Sequence, residues 1–348
     1  MADNANSSSI ATPRIKSTWS APEVANYLES RMAPLRAFAK YKERSFTTSK
    51  TVHIPLLEAA TKDAPDQGPT VVLLGDSMLE RMTTTGQSPN FTAPWPSPAM
   101  LPDGDLEALR ATREEEVLDI AKKARRPARD LIRRVDRVFN AGVGGDKIQN
   151  LAYRLVGDPY RGLPGLLPML ARCGTVRLWV LHIGTNHLSP KRGLSGADIE
   201  ALEVLIDTLL RLPATKGVHG KVLLTGILLR REVPLRLRLK ANTMIEALEV
   251  KMKIRWGEER VERYEPRDQL KPDEHLDDHV HLNLKGYQWW IRLFLVHVVT
   301  MLDVSEVEAE RWKLMGGFEH DRLIPWFAND NDNDIADAEN DSAQAGQN

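Results

Sequence analysis

Apolar runs too short for helices recur along this chain, at Val71 to Leu74, Val176 to Ile183 and Val222 to Leu229. Continuous apolar runs of this length suit strands buried on both faces. Shorter strands are predicted over Val135 to Phe139 and Val261 to Tyr264. Between them the apolar residues change to helical spacing. Ile199, Leu202, Leu205, Ile206 and Leu209 mark a helix over Ala197 to Leu212, Leu235 to Ile254 forms another, and Leu284 to Leu302 closes the series. A further helix, ending at Leu155, follows the loop Asn140 to Asp146. Strands alternating with helices predict an α/β chain, a three-layer α/β/α arrangement on a roughly five-stranded parallel sheet. Ligands of such sheets bind at the carboxyl ends of the strands, so the polar residues there matter most.

The flanks read differently. Residues 1–16 are rich in Asn, Ser and Ala and are predicted to be disordered. Residues 17–69 form a helical extension and linker. Ser20-Ala21-Pro22-Glu23 is a helix start with a capping serine, an early proline and a capping-box glutamate. Val24, Tyr27, Leu28, Met32 and Leu35 follow at helical spacing, with Pro34 arguing against one straight helix. The segment is expected to pack on the outside of the main domain. That domain spans 70–304 and carries an insertion, 83–134. The insertion's first half holds Pro94, Pro96, Pro98 and Pro102 and should be irregular, and its second half looks helical. Its basic run, Lys122 to Arg134, reads as a solvated face balanced by Glu114 to Glu116; the sharper alternative is a cover over an anionic group. A C-terminal extension, 305–328, leads into a disordered acidic tail, 329–348.

Composition narrows the function. The chain has 348 residues, 42% hydrophobic and 27% charged, which suits a soluble globular protein. A formal net charge of −1 leaves no global footprint for nucleic acid or an anionic membrane. Cys173 is the only cysteine, so no intrachain disulfide forms and a reducing, cytoplasmic setting is expected. The stretch Trp289 to Val304 is interrupted by Arg292 and His297 and is too short and polar to span a bilayer. Neither a dinucleotide fingerprint nor a P-loop is present, and no cofactor is implied.

Four polar clusters follow the predicted strands: Gly75-Asp76-Ser77, Asn140 to Asp146 (NAGVGGD), Gly184-Thr185-Asn186 and Asp278-His279-Val280-His281. Taken alone, Ser77 is most simply a helix cap. In this order, however, the four resemble the conserved blocks of the SGNH (GDSL-type) hydrolase superfamily, above all the platelet-activating-factor acetylhydrolase catalytic subunits. The stretch Leu224 to Glu232 (LTGILLRRE) is similar to that family's fourth strand. The resemblance covers roughly Thr70 to Leu302 apart from the insertion, and it implies a flavodoxin-like SGNH fold.

The resemblance implies that Ser77 is a nucleophile, His281 its base and Asp278 the acid that orients His281. The residue types suit that chemistry. A serine hydroxyl needs an adjacent base, the base can return its proton to a leaving alcohol, and a carboxylate fixes the imidazole tautomer. The resemblance further implies an oxyanion hole from the backbone N–H groups of Ser77 and Gly145 and the side-chain amide of Asn186, with Asp76 and Asp146 in support. The α/β-hydrolase elbow G-x-S-x-G is disfavoured, because Leu79 stands at its second glycine position. The expected activity is hydrolysis of a small-molecule ester with a short acyl group, on a lipid or an acetylated sugar, and a homodimer is compatible with it. Two alternatives stay open. His275, Asp277, Asp278, His279 and His281 form a dense ligand-type cluster that could hold a catalytic metal. A binding protein on a hydrolase scaffold is the other. Two departures from the family pattern stand out. His187 follows Asn186, which should alter the rim of the pocket, and the insertion is longer than the close relatives need.

Overall fold

The run Val71–Gly75 forms a strand (β1) buried along its whole length, as its lack of polar side chains requires. The computed structural model describes residues 21–62, 68–82, 137–212, 220–265 and 270–302, less 288, 291–293, 295, 296 and 299. The Ser20 cap, the insertion 83–134 and the segments 1–16, 305–328 and 329–348 lie outside the described residues. Four further strands join β1: Val138–Gly142 (β2), Leu178–His182 (β3), Lys221–Thr225 (β4) and Val261–Tyr264 (β5). They make a five-stranded sheet in the order β2-β1-β3-β4-β5. Every pairing is parallel, as the alternation of strands and helices predicts.

Side chains alternate across the sheet with period two. Val72, Leu74, Trp179, Leu181, Val222 and Leu224 enter one apolar core. Val71, Leu73, Leu178, Val180 and Leu223 enter the other. The first core is covered by the helices Ala21–Phe38, Ile148–Val156, Leu166–Cys173, Gly196–Arg211 and Leu235–Trp256. The second is covered by helical residues between 284 and 302, including Tyr287, Trp290, Phe294 and Val298. Two helical layers therefore enclose the sheet. Among the described residues, no helix is long and apolar enough to cross a membrane.

Several boundaries differ from the sequence reading, each for a local reason. β2 runs on through Asn140, Ala141 and Gly142, which the sequence places in a loop. The strand tolerates Asn140 because its amide donates to Leu79 O at 2.7 Å and its carbonyl accepts from Gly142 N at 2.9 Å. β4 ends at Thr225, although the apolar run continues to Leu229. Ile227 and Leu228 are buried beyond the sheet edge, where Asn242 accepts from Ile227 N at 2.8 Å and donates to Ile227 O at 3.2 Å. Apolar character there reports a buried loop. The helix Ala21–Phe38 continues through Pro34, since burial of Met32 and Leu35 outweighs one missing ladder bond. Each such side chain contributes about 1.5–3 kcal/mol. The sequence gives no warning of the helix Leu166–Cys173. Residues 43–61, within the extension read as helical, form a helical run that contains a π turn at Ser49–His53.

The register sets Gly75 opposite both Gly142 and His182, so the carboxyl ends of β1, β2 and β3 finish level. β1 lies where the strand order reverses, the usual location of a binding crevice. The chains approach closely there. A Cβ on Gly75 would sit 2.0 Å from the His182 carbonyl oxygen. Gly75→Ala is therefore expected to force β1 and β3 apart and cost at least about 1–3 kcal/mol, as overpacking does. Chemical denaturation would measure it, and an unchanged midpoint would contradict this packing.

Candidate active site

At the end of β1 the chain turns into the short helix Ser77–Glu80. The cap is Asp76, whose Oδ1 accepts from Met78 N at 3.0 Å. Ser77, the first helical residue, is thereby free of the capping role that its position alone suggests. Its hydroxyl meets another group: His281 Nε2 lies 2.9 Å from Ser77 Oγ. His281 Nδ1 lies 2.6 Å from Asp278 Oδ2. Geometry assigns the tautomer. Nδ1–H donates to the carboxylate, which leaves Nε2 to accept from the serine.

A tight loop delivers both Asp278 and His281. Leu276 and Leu282 pair across it, and Asp277 N donates to His281 O at 2.8 Å. Asp278 Oδ1 accepts from the N–H groups of Val280 at 2.8 Å and His281 at 2.7 Å. Burial pulls the Asp278 carboxyl upward, but these N–H groups and the His281 ring hold it well below the usual carboxylate range. Burial lowers the His281 pKa below the ordinary value of 6.5, opposed by Asp278 and assisted by the Arg81 charge. The ring is thus neutral at pH 7 and able to accept a proton. Asp76 is fully buried, and burial pushes its carboxyl up to about 7.

The second strand end contributes a turn. Asp146 N donates to Val143 O at 3.1 Å, and Gly145 has φ 77°. A positive φ at the third position of such a turn marks type II and favours glycine. Among the described residues, the N–H groups of Ser77 and Gly145 have no hydrogen-bond partner. Asn186, on a single turn Thr185–His187 after β3, donates from Nδ2 to Asp146 O at 3.0 Å, and its second N–H stays available. Asp146 itself is fully buried. Its Oδ2 accepts from Arg154 Nε at 2.8 Å and its Oδ1 from Ser45 Oγ at 2.5 Å.

Two sequence expectations change. His187 does not shape the rim. It is buried, accepting from Ile148 N at 3.1 Å through Nε2 and facing Asp198 Oδ1 at 2.9 Å through Nδ1. It ties the start of the helix Ile148–Val156 to the helix Gly196–Arg211, and burial lowers its pKa. The histidine cluster does not converge either. His275 Nδ1 accepts from Lys271 N at 3.0 Å, His279 Nε2 faces Glu232 at 3.1 Å, and His281 lies between Asp278 and Ser77. No group of three or more His, Cys, Asp or Glu side chains able to hold a metal occurs among the described residues.

Four further residues meet the site without a motif to announce them. Arg154 is fully buried within the helix Ile148–Val156; besides Asp146 it donates to Ala141 O at 2.9 Å and Gly75 O at 3.4 Å. A charged residue inside an otherwise apolar helical pattern is the one signal that could have marked it. Lys42 donates from Nζ to Gly144 O at 3.2 Å, and Ser45 reaches Asp146; both come from the N-terminal segment. Arg81, one turn beyond Ser77, lies 3.6 Å from Asp278 Oδ2 and 3.8 Å from Asp277 Oδ2.

No family model and no curated protein sequence matches this chain. Solved structures with a similar course include the lipase/acylhydrolase from Enterococcus faecalis, at 17% identity and a TM-score of 0.38 over 66% of this chain and 95% of that one. A carbohydrate acetylesterase from Sinorhizobium meliloti is similar at 18% identity and a TM-score of 0.37, over 68% of this chain and 99% of that one. An esterase described as SGNH-hydrolase family, AlinE4, is similar at 19% identity and a TM-score of 0.31, over 65% and 92%.

The groups facing His281 are Asp278, Arg81, His279 and the Ser77 hydroxyl. Arg81→Met removes the cation that disfavours the imidazolium, so the His281 titration, followed by NMR, is expected to move to higher pH. A midpoint that stays or falls would contradict the geometry.

Proposed function

We propose that this chain is a serine esterase of the SGNH type. The observation that carries the reading is the unbroken chain Asp278 Oδ2, His281, Ser77 Oγ at 2.6 and 2.9 Å, standing at the carboxyl end of a central parallel strand. His281 Nε2 takes the Ser77 proton as Oγ attacks the ester carbonyl. The resulting oxyanion is held by the N–H groups of Ser77 and Gly145 and by the Asn186 amide. Asp278 stabilises the imidazolium and keeps its Nε2–H aimed at the leaving oxygen. The alcohol departs with that proton, leaving an acyl group on Ser77. Water, deprotonated by His281, then attacks the acyl carbonyl; the acyl–Oγ bond breaks, the imidazolium returns its proton to Ser77 Oγ, and the acid is released. The residues supply nucleophile, base, acid and oxyanion donors without calling on a metal or cofactor.

The sequence likeness to platelet-activating-factor acetylhydrolase catalytic subunits supports a short acyl group, carried on a lipid or a sugar. The ordered set of motifs supports the SGNH assignment itself. The insertion 83–134 is the natural source of any difference in substrate preference from those relatives.

Ser77→Ala is expected to lower hydrolysis of p-nitrophenyl acetate by at least about a thousandfold, since loss of a nucleophile leaves only binding and the oxyanion hole. Turnover by the wild type should be insensitive to chelators. Retention of wild-type turnover by the folded Ser77→Ala protein would refute the assignment, and loss of turnover with chelator would restore the metal reading.

A further inference from the structure

We propose that Lys42, from the segment ahead of the main sheet, is a positioning residue for the oxyanion hole: its ammonium locks the Gly144–Gly145 peptide so that the Gly145 N–H faces the substrate. This rests on the esterase reading above. The contact is direct, with Lys42 Nζ 3.2 Å from Gly144 O and 3.8 Å from Asp146 Oδ1. The Gly144 carbonyl and the Gly145 N–H belong to one planar trans peptide, so they point in opposite directions. A donor fixed on the carbonyl therefore sets the direction of the N–H.

The turn makes that direction a variable. Types I and II differ chiefly by a flip of the central peptide, which here is the Gly144–Gly145 unit. Glycines on both sides leave the flip sterically cheap, since neither carries a Cβ to oppose it. Other bonds hold only the edges of the turn. Gly144 N donates to Glu80 Oε2 at 3.0 Å, and Asp146 N closes the turn onto Val143 O. Lys42 grips the one carbonyl whose orientation decides whether the hole has its Gly145 donor. A cation on that carbonyl also polarises the amide and strengthens its N–H as a donor. The fit is close, because a Cβ on Gly145 would lie 2.7 Å from Lys42 Nζ. The neighbouring Ser45 Oγ bond to Asp146 anchors the segment that carries Lys42.

The test compares Lys42→Met and Lys42→Arg with the wild type on p-nitrophenyl acetate, with Ser77→Ala beside them and thermal melts of each. One oxyanion donor accounts for about a hundredfold or more in kcat, and Lys42 acts on one donor indirectly, so Lys42→Met should lower kcat by about tenfold with KM nearly unchanged. Lys42→Arg, which keeps a cationic donor, should recover most of the loss. The proposal is overturned if Lys42→Met keeps kcat within about twofold, or if KM rises while kcat holds, which would make Lys42 a substrate contact. If Lys42→Met lowers the melting temperature, Lys42→Arg decides: folded with restored kcat supports the role, folded and equally impaired contradicts it. Loss of turnover in Ser77→Ala with normal Lys42→Met overturns this inference alone. Normal turnover in Ser77→Ala overturns the esterase reading beneath it.

Discussion

The carboxylate of Asp146 is where three parts of the chain meet: its own turn, the helix that follows and the N-terminal segment. Arg154 reaches it from the helix Ile148–Val156, Ser45 from the N-terminal segment, and Lys42 stands 3.8 Å away. The same Arg154 guanidinium donates to the carbonyls of Ala141 at the end of β2 and Gly75 at the end of β1. Both charges are fully buried, so each needs the other. A buried pair of this kind adds little net stability over an apolar replacement, but removing one partner costs about 3–5 kcal/mol by stranding the other. Its use here is geometric. It fixes the ends of two strands, the turn that follows β2 and the approach of the N-terminal segment in a single arrangement.

The rest of the site follows from that frame. With β1 and β2 held level, Asp76 takes the helix cap and Ser77 turns its hydroxyl toward His281. The Asp146 carbonyl then orients the Asn186 amide from the end of β3. On the opposite side, a loop closed by the Leu276–Leu282 pairing presents Asp278 and His281 together. Tyr287, buried beneath them, donates to Met78 O at 2.9 Å and ties the closing helical residues to the Ser77 helix. The side chains of the proposed triad and oxyanion hole thus stand on fixed supports, as the proposed electrostatic stabilisation of an oxyanion would require.

How much of this the sequence discloses depends on the distance over which each residue acts. Strands buried on both faces leave a continuous apolar signature, so β1, β3 and the sheet class were legible. Asp278 and His281 sit three apart on one loop, and their pairing could be read from spacing once a family pattern suggested it. Arg154, Lys42, Ser45 and Arg81 act through partners elsewhere in the chain, and no local periodicity encodes such contacts. His187 shows the converse limit. Its position beside Asn186 suggested the rim, yet the turn points it inward to Ile148 and Asp198. Apolar runs also failed to separate strand from buried loop at Ile227 and Leu228, because burial selects for both alike.

The proposed activity requires that Ser77 be a nucleophile activated by His281. Mass spectrometry after treatment with a fluorophosphonate tests this most directly. A single adduct on Ser77 is predicted, with the labelling lost in a folded His281→Gln variant. Folded wild-type protein that takes up no label, or takes it up on another residue while Ser77 stays unmodified, would contradict it.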